Sequence, residues 1–133
     1  LALEGTVEAA YITSCDVPLL VPAFVETLIN ALGDHQIAVP VDNRFHHPLA
    51  AVYRVDLWSQ ASQLLEADQR RPLFLLEQAD TLRIPVEQLQ VVDPDLLTLQ
   101  NINHPRDYLA ALESCGLAVP PDLLSRWHDQ LDD

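Results

Sequence analysis

The chain has 133 residues, 49% of them apolar, and a formal net charge of -13. That length and apolar content suit one globular domain with a real core. All seven cations are arginine, and so acidic a surface repels polyphosphate backbones, which argues against DNA or RNA binding.

No segment approaches the apolar length of a membrane span, and no basic-then-apolar leader is present. The expectation is a soluble, cytoplasmic protein with no membrane contact. The chain begins at Leu1 and contains no methionine, so residues are expected to be missing in front of it. A small nucleotide remains an admissible ligand, because a metal ion or a helix N-terminus can supply positive field locally. Cys15 and Cys115 form no CxxC pair and are expected to be reduced, packed thiols.

Val7 to Ser14 is short, apolar and β-branched, as expected of a strand buried on both faces. It stops at Asp16, and Pro18 and Pro22 follow. Pro22 suits the first turn of a helix. Phe24, Val25, Leu28, Ile29 and Leu32 recur on one face, and Gly33 stands where a C′ glycine belongs. The segment 22–32 is therefore a predicted amphipathic helix. Gln36 to Pro40 is a second strand, making a strand–helix–strand unit with an expected right-handed connection.

Asp42-Asn43-Arg44 reads as a turn and His47 to Arg54 as extended chain. Asp56 is placed to cap a helix bearing Leu57, Trp58, Ala61, Leu64 and Leu65. Pro72 starts a short helix over 71–79. Thr81 to Val86 is an expected edge strand, because Pro85 removes a donor. Leu96 to Gln100 is a further strand candidate. Pro105 opens a helix carrying Tyr108, Leu109 and Leu112, closed by Gly116. A last helix is expected over about 121–131, with Leu123, Leu124, Trp127 and Leu131 inward. Alternating strands and helices argue an α/β layered fold.

Three stretches can carry chemistry. Asp16 sits where an apolar strand gives way to a proline-punctuated loop, and ligands in open α/β sheets bind beyond the carboxyl ends of strands. It either holds magnesium together with substrate phosphates or caps the following turn. His46 and His47 are adjacent, so on extended chain they point to opposite faces and cannot easily share one ion. One is expected at the surface and the other bonded near a pocket. Asn101 and Asn103 flank Ile102 at a predicted strand-to-helix junction. Their amides suit a pterin, a ribose or a metal-bound water, or else an Asx turn into the helix. The three glycines are isolated, so no glycine-rich phosphate loop exists.

In this order, the stretches TSCDVPLL at 13–20, HPLAAVYR at 47–54 and NINHPRDY at 101–108 resemble the molybdenum cofactor guanylyltransferases. These are the molybdopterin-guanine dinucleotide biosynthesis proteins A, within the nucleotidyltransferase superfamily. The resemblance covers Gly5 to about Leu112. It implies a Rossmann-like, three-layer nucleotidyltransferase fold with a mostly parallel sheet and the N-terminal part missing. Residues 1–133 would be the C-terminal portion of one such domain, with its core at 5–116 and a C-terminal helix at about 121–131. It implies transfer of GMP from GTP to molybdopterin, releasing pyrophosphate. Asp16 matches the family's catalytic, Mg²⁺-binding aspartate. Asn101 and Asn103 match residues on the molybdopterin side, and His47-Pro48 a segment lining that side, with Arg44 nearby. Other cofactor-assembly proteins and apo-molybdoenzymes are the implied protein partners.

The chain departs from the family in one decisive respect. It lacks the glycine-rich loop with Arg and Lys that grips the nucleotide phosphates. This chain alone is therefore expected to be inactive, and its uncovered edge to favour self-association. His104 also replaces the threonine common at that helix start, while Asp107 keeps an acidic first turn. Cytidylyl transfer to the same pterin, or a non-catalytic module that binds pterin or protein, are the competing readings.

Overall fold

A computed structural model describes residues 5–123 and 127. Four strands form one sheet in the order β1-β3-β2-β4: β1 (Ala9–Thr13), β2 (Ile37–Val41), β3 (Ala50–Arg54) and β4 (Thr81–Pro85). β2 and β4 pair in parallel, while β3 runs antiparallel to both β1 and β2. Three strands thus share one direction, and β3 lies reversed between β1 and β2. The predicted strand–helix–strand unit exists, but its two strands are not neighbours.

α1 (Pro22–Leu32) connects β1 to β2. Pro22 opens it, and Gly33 closes it at φ +50, where a side chain would be strained. Phe24, Leu28 and Leu32 are buried, one every fourth residue, so they line a single stripe. Ile29, expected on that stripe, is half exposed. The stripe meets Ala38, Val52, Ile84 and Leu89 on one face of the sheet. The other face presents Ile37, Val39 and Ala51 to Leu57 and Leu76. Successive residues of β2 and β3 feed opposite cores, as period two demands. Three layers result: α1, the sheet, and α2 (Trp58–Glu66) with α3 (Pro72–Gln78).

Some local expectations change. Asp56 does not cap α2; it lies in a single 3₁₀ turn, Val55–Leu57, and Leu57 holds the N-cap position without a side-chain bond. Leu96 to Gln100 is not a strand. It contains a 3₁₀ turn, Leu97–Leu99, because the Asp93 carboxyl accepts the N–H groups of Leu97 and Thr98 at 2.9 Å each. A ladder partner is thereby replaced by a side chain. A short helix α4 (Val86–Leu89) follows β4, and α5 (Pro105–Ser114) ends before Gly116. Of the expected last helix, Pro121 to Leu123 and Trp127 are helical, and the remainder lies outside the described residues. Cys15 and Cys115 are free but exposed rather than packed. No helix among the described residues is long and apolar enough to cross a membrane.

Pro40 sits in β2 without breaking it. The β2–β3 ladder covers Ile37 and Ala38, so Pro40, which has no N–H to give, lies past its end. Its carbonyl still accepts His47 N–H at 2.9 Å.

Among the described residues, β1 pairs with β3 and with no other strand. Val7 and Ile12 on this margin are 47% and 43% exposed. Ile12 also lines an apolar groove of about 540 Å³ between β1, β3, α2 and α3. An unpaired strand edge beside apolar surface is a template for another chain. Light scattering of the purified 14.9 kDa chain is therefore expected to show dimers or larger species. A monodisperse monomer would contradict this.

Candidate functional site

The carboxyl ends of β1 and β2 and the start of β3 lie along one margin of the sheet, because β3 runs backwards. The three sequence stretches meet there. Asp16 leaves β1 by a short loop that is fastened twice: Ser14 N–H donates to Leu49 O at 3.2 Å, and Ile102 N–H to Asp16 O at 2.8 Å. The first bond ties the Asp16 loop to the segment before β3. The second ties it to the asparagine stretch.

The Asp16 side chain is half-buried. Its Oδ1 accepts the Ser14 hydroxyl, and its Oδ2 accepts Asn101 Nδ2 at 3.3 Å. These bonds come from side chains and not from the amides of a turn, so the capping alternative loses its motive. Each carboxylate oxygen carries two lone pairs, so one on each remains directed elsewhere. Ser14 was not singled out from the sequence; its spacing of two from Asp16 on an extended chain was the available signal.

Asn103 does not share these bonds. It lines a neighbouring groove of about 470 Å³ with Tyr108 and Trp127. The two rings there meet edge to face at 5.6 Å. Asn101 and Asn103 thus serve two adjacent places rather than one. Behind them, Asp107 Oδ2 accepts the N–H groups of Asn103 and His104 at 3.1 and 2.9 Å. These bonds hold the Asp107 carboxyl below its ordinary pKa and anchor the start of α5 despite the missing threonine.

Arg44 and His47 belong to a second hub. Asp42 Oδ1 accepts the N–H groups of Arg44 and Phe45 at 2.7 Å each, and His47 Nε2 lies 3.0 Å from Asp42 Oδ2. The Arg44 guanidinium lies 5.3 Å from the Phe45 ring centre. The adjacent histidines diverge as expected: His46 Nε2 accepts from Arg83 Nε at 3.2 Å. Pro48 lines the apolar groove, and its carbonyl accepts the Tyr53 hydroxyl at 2.7 Å. Burial pushes the Tyr53 phenol up to about 12, so this anchor stays protonated at neutral pH.

The Arg44 and Phe45 amides, then His47, hold the Asp42 carboxyl below its ordinary value. The bonds of a carboxylate with a lowered pKa are fully present above the ordinary range and are lost as pH falls through the lowered value. The Arg44 and Phe45 amide resonances are therefore expected to make a distinct movement below about pH 4, as the Asp42 carboxyl takes up its proton. Absence of that low-pH movement would show that Asp42 does not hold this loop.

Among the described residues, no three His, Cys, Asp or Glu side chains gather to hold a metal. That excludes a closed zinc-type cage there. Asp16 and Asp42 both stand at the sheet margin, past the carboxyl ends of β1 and β2.

A three-layer α/β sheet with a carboxylate past the carboxyl end of β1 is a framework shared by many ligand-binding domains, and the family match narrows it. The MobA-like NTP transferase domain family matches residues 2–82, more than half of the chain, and the protein belongs to that family. Two curated relatives illustrate the likeness. A "Probable molybdenum cofactor guanylyltransferase" of Mycobacterium tuberculosis is 34% identical over 77% of this chain and 48% of its own length. The "Molybdenum cofactor guanylyltransferase" of Desulfosudis oleivorans is 31% identical over 72% of this chain and 48% of its own. The chain thus spans about half the length of the curated relatives it matches. A solved structure, molybdopterin-guanine dinucleotide biosynthesis protein A from Archaeoglobus fulgidus, superposes with a TM-score of 0.73 at 26% identity. That match covers 86% of this chain and 59% of the other. A protein from Aquifex aeolicus shares the fold, with a TM-score of 0.60 at 21% identity.

Proposed function

We propose that this chain supplies the metal and pterin side of a molybdenum cofactor guanylyltransferase. The observation that carries the reading is the meeting of Asp16 and Asn101 at the carboxyl margin of the sheet. Names of the relatives and the family match support it.

In the proposed reaction a phosphate oxygen of molybdopterin attacks the α-phosphorus of GTP. One new P–O bond forms, the α–β bridge breaks, and pyrophosphate leaves with that electron pair. A bound Mg²⁺ would neutralise charge on the phosphate oxygens as the bridge breaks. Asp16 would hold it, with Ser14 and Asn101 fixing the carboxylate in orientation. Asn103, His47, Pro48 and Arg44 would line the molybdopterin side. No nucleophilic side chain is called for, since phosphoryl-type transfer depends on positioning and charge.

The chain has no glycine-rich loop, and the triphosphate would be gripped by such a loop outside it. The purified chain mixed with molybdopterin, Mg²⁺ and GTP or CTP is therefore expected to release no pyrophosphate. A longer polypeptide that joins it to a glycine-rich loop should release it. GTP consumption by the chain alone would sink the division of labour. Release with CTP in preference to GTP would make the enzyme a cytidylyltransferase. Pterin binding without release in the longer protein would leave a binding module.

A further inference from the structure

Asp93 and Thr98 are buried polar residues, 2% and 0% exposed, and the proposed chemistry uses neither. Buried polar groups persist in cores when their bonds are made, and here the bonds lead toward the site. The Asp93 carboxyl accepts the N–H groups of Leu97 and Thr98. Its carbonyl accepts Leu96 N–H at 2.9 Å, and Leu96 is held at φ +49. The turn so formed aims the Thr98 hydroxyl at α1, where Thr98 Oγ1 accepts Val21 N–H at 3.0 Å.

Val21 ends the loop that carries Asp16. Three residues after Thr98, Asn101 reaches the Asp16 carboxylate, and the next N–H, of Ile102, reaches Asp16 O. The 93–102 segment is thus stitched to the 16–21 loop at both ends of that loop. One stitch, made by the buried Thr98 side chain, is itself part-buried. The other, at Asn101, is exposed and works against water. We propose that Asp93 and Thr98 are positioning residues: the Thr98 stitch sets the alignment in which Asn101 meets Asp16. Its value to catalysis rests on the assignment of Asp16 to Mg²⁺; the alignment itself does not.

The bland alternative is that both residues merely stabilise the core. Thr98→Val keeps the shape and removes the acceptor facing Val21. Native-state hydrogen exchange on this chain separates the readings. Loss of one bond worth a factor of ten should speed exchange at Val21 and Ile102 by about tenfold while amides in β2 and β3 change little. Thr98→Ser, which restores the hydroxyl, should restore both amides. Mn²⁺ titration, read by broadening of the Asn101 side-chain resonances, should weaken by a similar factor in Thr98→Val. Uniform acceleration across the sheet, or an unchanged Ile102, would overturn the proposal. If Thr98→Val does not fold, the same comparison is made with Asp93→Asn, which leaves one carbonyl oxygen for two amides. Absence of Mn²⁺ broadening in the unaltered chain would refute the metal role of Asp16, while the exchange pattern would still decide the alignment.

Discussion

Asp16→Ala is expected to abolish divalent-cation binding by this chain. In a longer polypeptide that joins it to a glycine-rich loop, the proposed pyrophosphate release should fall by at least about a hundredfold to a thousandfold, the usual scale for removing a group that meets developing charge. The fold should survive, because the loop is fastened through backbone atoms. Ser14 N–H still reaches Leu49 O, and Ile102 N–H still reaches Asp16 O. What disappears is the carboxylate that Ser14 and Asn101 orient. The measurement is Mn²⁺ titration of the variant beside circular dichroism, followed by pyrophosphate release in the longer protein. Turnover near the unaltered level would remove Asp16 from the metal site.

Phe24→Ala should produce the largest loss of stability. Phe24 is fully buried and packs with Leu28, Leu32, Ala38, Val52, Ile84 and Leu89. Truncation removes its transfer free energy and leaves a cavity between a helix and a sheet that cannot easily close, at a cost of about 3–5 kcal/mol. Domains of this size hold only about 5–15 kcal/mol in total, so the variant loses a large share of its margin and should unfold at a much lower urea concentration. Urea titration by fluorescence or circular dichroism measures the shift. A loss below about 1 kcal/mol would mean that the core repacks around the gap.

What could be read from the residues was local. Phe24, Leu28 and Leu32 at intervals of four announced α1, and Pro22 and Gly33 announced its ends. The apolar runs of β2 and β3 and the punctuation after Thr13 placed Asp16 at a strand end. The pairing order was not legible, because nothing in β1 or β2 says that β3 will come between them. Leu96 to Gln100 was misread because apolar content alone cannot separate a strand from a tight turn. The deciding partner, Asp93, acts from four and five residues upstream through its side chain. The Asp93-Pro94 step was the warning, since that pair favours turns. Ser14 and Thr98 were missed for a related reason: a hydroxyl in an apolar run looks like filler until its partner is seen.

The reversed strand β3 has a kinetic consequence. β1 is the first strand along the chain, yet its paired residues, Ala9 to Thr13, find their partners at Arg54 to Ala50. During synthesis β1 and its carboxylate loop must wait, without a ladder, until β3 has been made. Contacts so distant in sequence carry a loop-closure penalty and slow folding. Collapse of α1 onto β2 can come earlier, since those elements adjoin in sequence. Cation affinity at Asp16 should then rise with the slowest folding phase rather than with the first appearance of helix. The ion would act as a sensor of finished assembly.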